Sequence, residues 1–126
     1  MAKEVIYSAK APEPIGPYSQ AIKIDNTLYV SGQIPFSNES NSLITGDITA
    51  QTLQVMKNLD AVLGAAGMSF ENVVKCSIFL KDMNDFPKVN EAYGKSFIKN
   101  PPARETVEVS RLPKDVHVEI SCIAVR

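Results

Sequence analysis

The residue types best suited to chemistry lie near the C-terminus of this chain. Over 104–110, Arg104, Thr106, Glu108 and Ser110 alternate with Val107 and Val109. Over 116–122, His117, Glu119 and Ser121 alternate with Val116, Val118, Ile120 and Cys122. Strand side chains point to opposite faces in turn, so each segment has one polar and one apolar set. Paired as a hairpin around a loop at 111–114, with the apolar sets together, the two strands place Thr106 opposite Glu119. Arg104 then sits diagonally from Glu119, at about 7–8 Å. Two chemistries are open to such a pair. As an exposed cross-strand ion pair it contributes at most about 1 kcal/mol. In an enclosed pocket, the guanidinium fork binds a carboxylate at two points, and the carboxylate orients or deprotonates a water. Enclosure decides between them, and the pattern alone does not supply it.

Other chemistries are poorly provided for. The chain holds one histidine, His117, and two cysteines, Cys76 and Cys122. No Cys-x-x-Cys or His-Glu-x-x-His occurs, so no metal site is expected. Both cysteines fall in apolar strand-like runs and read as buried reduced thiols. No glycine-rich phosphate loop is present, and no nucleophile elbow accompanies the single histidine. The length of 126 residues predicts one domain, 1–126. Apolar residues make up 44%, enough for a real core. The net charge of −1, without a basic stripe, argues against a dedicated nucleic-acid binder. No apolar run is long enough to span a bilayer, and Met1-Ala2-Lys3-Glu4-Val5 does not read as the start of a signal peptide. The expected location is cytoplasmic, with no membrane partner.

The elements that must position these residues can be read in order. Strands are expected at Glu4–Ser8, Gln20–Ile24 and Leu28–Ser31, the last two joined by a turn at Asp25-Asn26. Residues 35–47 read as one surface loop. A helix follows, capped by Asp47 or Thr49 and stopped at Gly67, with Leu53, Met56, Leu59 or Asp60, Leu63 and Ala66 on its apolar stripe. Val73–Lys81 predicts a central strand. Pro87 opens a second helix with the stripe Phe86, Val89, Tyr93 and Phe97, and Pro101-Pro102 forbids its continuation. Strands at Arg104–Ser110 and Val116–Val125 close the chain. The order β-β-β-α-β-α-β-β predicts an α+β domain with both helices on one sheet face. The other face then meets solvent or another subunit.

Several strings together resemble the RidA/YjgF family, also known under the name endoribonuclease L-PSP. They are Gly16-Pro17-Tyr18-Ser19-Gln20-Ala21, Ser31-Gly32-Gln33-Ile34-Pro35, and Asn84-Asp85-Phe86 through Asn90 to Tyr93. Pro102-Ala103-Arg104-x-Thr106-Val107-Glu108-Val109 and Leu112-Pro113-Lys114-Asp115-x-x-Val118-Glu119-Ile120 continue the match in the family's order. The resemblance implies a chorismate-mutase-like fold, a mixed sheet with two helices on one face. It further implies a homotrimer around a central barrel, with ligand clefts between subunits. The implied activity is hydrolysis of reactive imino and enamine acids, such as 2-iminobutanoate and 2-iminopropanoate, to a 2-keto acid and ammonia, without a cofactor. By motif position, Arg104 resembles the arginine that clamps the substrate carboxylate, Glu119 the carboxylate that positions water, and Tyr18 a tyrosine whose hydroxyl reaches the ligand. Ser31, Gly32, Asn90 and Thr106 match substrate-binding positions.

Two positions depart from the family pattern. Ser121 stands where many members carry a second glutamate, and Glu105 follows Arg104 where a small or neutral residue is common. They put substrate range in question more than activity. Two other functions compete with imine hydrolysis: a non-enzymatic trimer that binds small carboxylates or regulates a partner, and RNA cleavage or translation inhibition. Intact Arg104, Glu119 and Tyr18 favour the enzyme over the first. The near-neutral charge and the lone His117 speak against the second.

Overall fold

A computed structural model describes residues 2–126. Eight strands and two helices form a mixed α+β architecture. The strands are β1 (Glu4–Ile6), β2 (Ala21–Ile24), β3 (Thr27–Gln33), β4 (Phe36–Ser37), β5 (Ser42–Leu43), β6 (Val73–Leu80), β7 (Ala103–Glu108) and β8 (Val118–Val125). The helices are α1 (Ile48–Ala65) and α2 (Phe86–Gly94). Six strands make one sheet in the order β1-β2-β3-β8-β6-β7, while β4 and β5 pair as a separate ribbon inside the stretch expected to be plain loop.

Local chemistry accounts for the helix limits. The Asp47 carboxylate accepts from the Thr49 amide at 3.1 Å, satisfying one of the free N–H groups at the start of α1. Gly67 follows the helix at φ +71°, a left-handed conformation that glycine adopts without steric cost. The buried stripe of α1 runs through Ile48, Val55, Leu59 and Val62, and the predicted member Leu53 is instead 42% exposed. Pro87 lies in the first turn of α2, which ends at Gly94, well before the proline pair.

The core lies between the helices and one sheet face, where Leu28, Ile78, Leu80, Val118 and Ile120 meet Val55, Leu59, Val62 and Val89. Along β8, Val118, Ile120, Cys122 and Ala124 are all buried, as the alternation predicts. Cys76 and Cys122 are free, buried and directly opposed across β6 and β8. The opposite face carries no helix and keeps apolar side chains partly in contact with solvent, with Tyr29 52% and Val107 40% exposed.

The expected hairpin of the last two strands does not form. β7 runs parallel to β6 at the sheet edge, with Cys76 paired to Arg104 and Ile78 to Thr106. β8 lies on the other side of β6, antiparallel to it and to β3. The cause is the connection β6-α2-β7: a strand, a crossover helix and a returning strand make a parallel pair. Thr106 therefore does not face Glu119, whose partner across the sheet is Phe79. Cys76, and with it Arg104, belongs to the helix-covered face, whereas Phe79 and Glu119 belong to the open face. Val107, grouped by alternation with the apolar set of the last strand, stands on the open face instead. Glu105 also lies there, bonded to the Ser77 hydroxyl and 3.0 Å from the Lys75 ammonium.

Candidate active site

On the open face, the site begins with an irregularity in β3. The pairing with β8 steps from Val30–Cys122 to Gln33–Ile120, so Ser31 and Gly32 together oppose Ser121. Such a bulge bends the strand and re-aims the groups next to it. Ser31 ties the bulge to the preceding segment, its amide donating to the Gln20 carbonyl (2.9 Å) and its hydroxyl to the Ser19 carbonyl (2.6 Å). Gln20 is buried and secures the N-terminal loop, accepting from the Ser8 amide at 2.7 Å and donating to the Ser8 and Pro12 carbonyls, each at 3.0 Å. Tyr18 is thus carried beside the bulge. Its hydroxyl accepts a long 3.4 Å bond from the Ile15 amide and stays half exposed.

Glu119 lies across Gly32. A Cβ on residue 32 would strike Glu119 Oε2 and would stand 2.8 Å from its Cδ. Gly32 has no left-handed φ, so the need for glycine here is room for the carboxylate and not a special backbone angle. Burial raises the Glu119 pKa above its ordinary value, since partial loss of water penalises the charged form. Tyr18 and Gly32 line a pocket of about 290 Å³ with Ile15, Ile34, Phe36 and Lys114. Lys114 and Asp115 both hold positive φ, 56° and 57°, in the turn before β8. Neither that strain nor the place of Lys114 on the pocket wall was legible as a site feature.

Arg104 is placed on the other side of the sheet, against α2. Its Nη1 donates to Asn90 Oδ1 at 2.7 Å. Its guanidinium carbon lies 5.5 Å from the Phe86 ring centroid and 5.1 Å from that of Tyr93. Among the described residues it meets no carboxylate at ion-pair distance. Thr106, two residues along the same strand face, has a buried hydroxyl without a hydrogen-bond partner. The predicted residues thus fall into two groups: Tyr18, Ser31, Gly32 and Glu119 on the open face, Asn90, Arg104 and Thr106 on the helix side of β7. His117 is exposed and belongs to neither. No cluster of three or more metal-ligating side chains occurs among the described residues.

The chain is similar to known proteins over nearly its whole length. A family model described as endoribonuclease L-PSP matches residues 8–126. A RutC family protein of Pyrococcus abyssi is 55% identical over 124 residues, 98% of each chain. The human protein named 2-iminobutanoate/2-iminopropanoate deaminase is 44% identical over 126 residues, all of this chain and 92% of its own. The chain belongs to the RidA/YjgF family. A crystal structure of a member of the conserved Rid family, YyfA from Yersinia pestis, superposes with a TM-score of 0.96 at 48% identity, covering 99% of this chain and 100% of that one. Residues Phe86 and Tyr93, which flank Arg104, appear in the sequence only as members of a RidA-like helix stripe. Their contact with the guanidinium needs the parallel β6–β7 pair.

The close approach at Gly32 gives a direct prediction. Gly32→Ala forces the Glu119 carboxylate aside, a cheap shift for a flexible side chain but a costly one in the water-positioning role that the family resemblance implies for Glu119. Misplacing a catalytic group by about 1 Å can lower rate on the order of 10²-fold. We expect a loss of that order in kcat/KM, with a circular-dichroism melt close to that of the wild type.

Proposed function

We propose that this protein hydrolyses small 2-imino acids to 2-keto acids and ammonia, in sites formed between copies of the chain in a homotrimer. The observation that carries the reading is the Glu119 carboxylate, partly desolvated and laid over Gly32, a residue that lines a pocket together with Tyr18. A carboxylate with a raised pKa is a better proton acceptor than an ordinary one. The human relative bears the name of a 2-iminobutanoate/2-iminopropanoate deaminase, which agrees with that chemistry.

The separation of the site residues into two groups supports a site shared between copies. Arg104 and Glu119 project from opposite sheet faces, with β6 between their strands, so one small molecule cannot touch both within a chain. A neighbouring copy that brings its β7 edge against the open face closes the pocket. It also covers Tyr29 and Val107. In that arrangement Arg104 of one copy holds the substrate carboxylate through its planar fork. Glu119 of the other takes a proton from water as the oxygen adds to C2 of the protonated imine. Returning that proton to nitrogen makes ammonia the leaving group; as the C–N bond breaks, the hydroxyl proton passes to the freed Glu119 carboxylate and on to solvent, and the keto group forms. The imine carbon is already electrophilic, so orientation and one proton acceptor suffice.

The test couples the protein to a threonine dehydratase and traps free imine with semicarbazide. The wild type is expected to suppress the semicarbazone signal in proportion to its concentration. An unchanged signal from a protein that still binds 2-oxobutanoate would transfer the site to the non-enzymatic, carboxylate-binding function.

A further inference from the structure

We propose that Phe86 and Tyr93 form a two-ring cradle on α2 that positions the Arg104 guanidinium to receive a ligand carboxylate. The inference rests on the proposed function for the identity of that ligand. Phe86, Asn90 and Tyr93 follow one another at spacings of four and three residues, so they share one helix face. Arg104 reaches that face from β7, its charge over both rings and one nitrogen bonded to Asn90. A cation over an aromatic face is attracted by the ring quadrupole, and the attraction grows as water is removed. Asn90 occupies one of the five guanidinium N–H donors, which leaves the others to a ligand.

The rings do work that an acidic partner could not. A glutamate or aspartate beside Arg104 would also hold it, but would occupy the fork and repel a carboxylate. Neutral faces restrain the long side chain while leaving its charge uncompensated. The cradle is itself braced, since Tyr93 packs on Phe97 at 4.9 Å and Phe97 meets Phe70 edge-on at 5.4 Å. The Tyr93 hydroxyl is not the contact. It is buried without a hydrogen-bond partner of good geometry, close to Cys76, and burial raises its pKa, so it stays protonated. The ring face is therefore the functional part of Tyr93.

The test uses four variants of the full chain: Phe86→Leu and Tyr93→Leu remove a ring face, Phe86→Tyr and Tyr93→Phe keep one. Calorimetry measures the Kd for 2-oxobutanoate, and the semicarbazide assay measures kcat and KM. Each leucine variant is expected to raise Kd and KM roughly tenfold, equivalent to about 1.4 kcal/mol, with kcat within about twofold of wild type. Each aromatic variant is expected to restore binding. Phe86 is only half-buried, so Phe86→Leu keeps the test open if Tyr93→Leu fails to fold. Unchanged Kd and KM in folded leucine variants would overturn the cradle while leaving the deaminase function intact. Weakened 2-oxobutanoate binding in those variants, with no turnover by the wild type, would support the cradle and overturn the deaminase function. Failure of the wild type to bind 2-oxobutanoate would overturn both.

Discussion

Arg104→Ala is expected to lower kcat/KM for 2-iminobutanoate by about 10²-fold or more while leaving the fold in place. In the free protein the Arg104 side chain spans two aromatic rings, bonds Asn90 and, among the described residues, pairs with no carboxylate. Its removal costs the chain only one hydrogen bond and a partly exposed packing contact, a loss on the order of 1 kcal/mol. For the proposed substrate it removes the group that fixes the acid end, and with it the approach of water to C2. Arg104→Lys should recover only a small part of the loss, because an ammonium is a point charge and cannot present two parallel donors. Steady-state kinetics beside a thermal melt separates the two effects. Near-wild-type kcat/KM in a folded Arg104→Ala protein would remove Arg104 from the site.

Glu119→Gln has a different signature: activity falls while stability rises. Loss of a positioned general base typically costs about 10²–10⁴-fold in rate. The stability change follows from the raised pKa. The folded protein binds the Glu119 proton more tightly than the unfolded chain does, so the ionised side chain weakens the fold at neutral pH. That penalty is absent below the unfolded carboxylate pKa, about 4.3, and grows as pH rises through the folded value. Glutamine keeps the shape without the charge. The variant should therefore melt above wild type at pH 7, with the difference closing as pH falls toward 4. A variant that is less stable than wild type at pH 7, or that retains turnover, would contradict the place given to Glu119.

Much of this site was legible in the chain. Asp47 and Gly67 marked α1, and alternation marked β8 down to the buried faces of Ile120 and Cys122. Arg104 and Glu119 stand out by strand alternation, and Tyr18 and Gly32 through the family resemblance. What pattern could not give was the neighbour of β7. Two strands joined by a short turn suggest a hairpin, and Val107 and Val109 looked like a core-facing set. The open face also carries apolar groups, Tyr29 and Phe79 among them, so in β7 apolar alternation did not mark the inside. The deciding feature was non-local: a strand returning from α2 must lie parallel to β6. Once it does, Arg104 and Glu119 separate to opposite faces. The contact of Arg104 with Phe86 and Tyr93 depends on the same pairing, and no local signal announces it.

The short ribbon β4–β5 escaped for a simpler reason. Its strands have two residues each, too few for alternation to rise above the Pro, Asn, Ser and Gly of the surrounding loop.

The central claim is that each site draws Arg104 from one copy and Glu119 from another. It is tested most directly by mixing two inactive variants, Arg104→Ala and Glu119→Gln, under conditions that exchange subunits, and measuring imine hydrolysis. In a cyclic trimer of randomly mixed chains, about one interface in four unites an intact Arg104 with an intact Glu119. The account therefore predicts recovery of about a quarter of wild-type activity from an equimolar mixture. Confirmed exchange without recovery would contradict a site shared between copies.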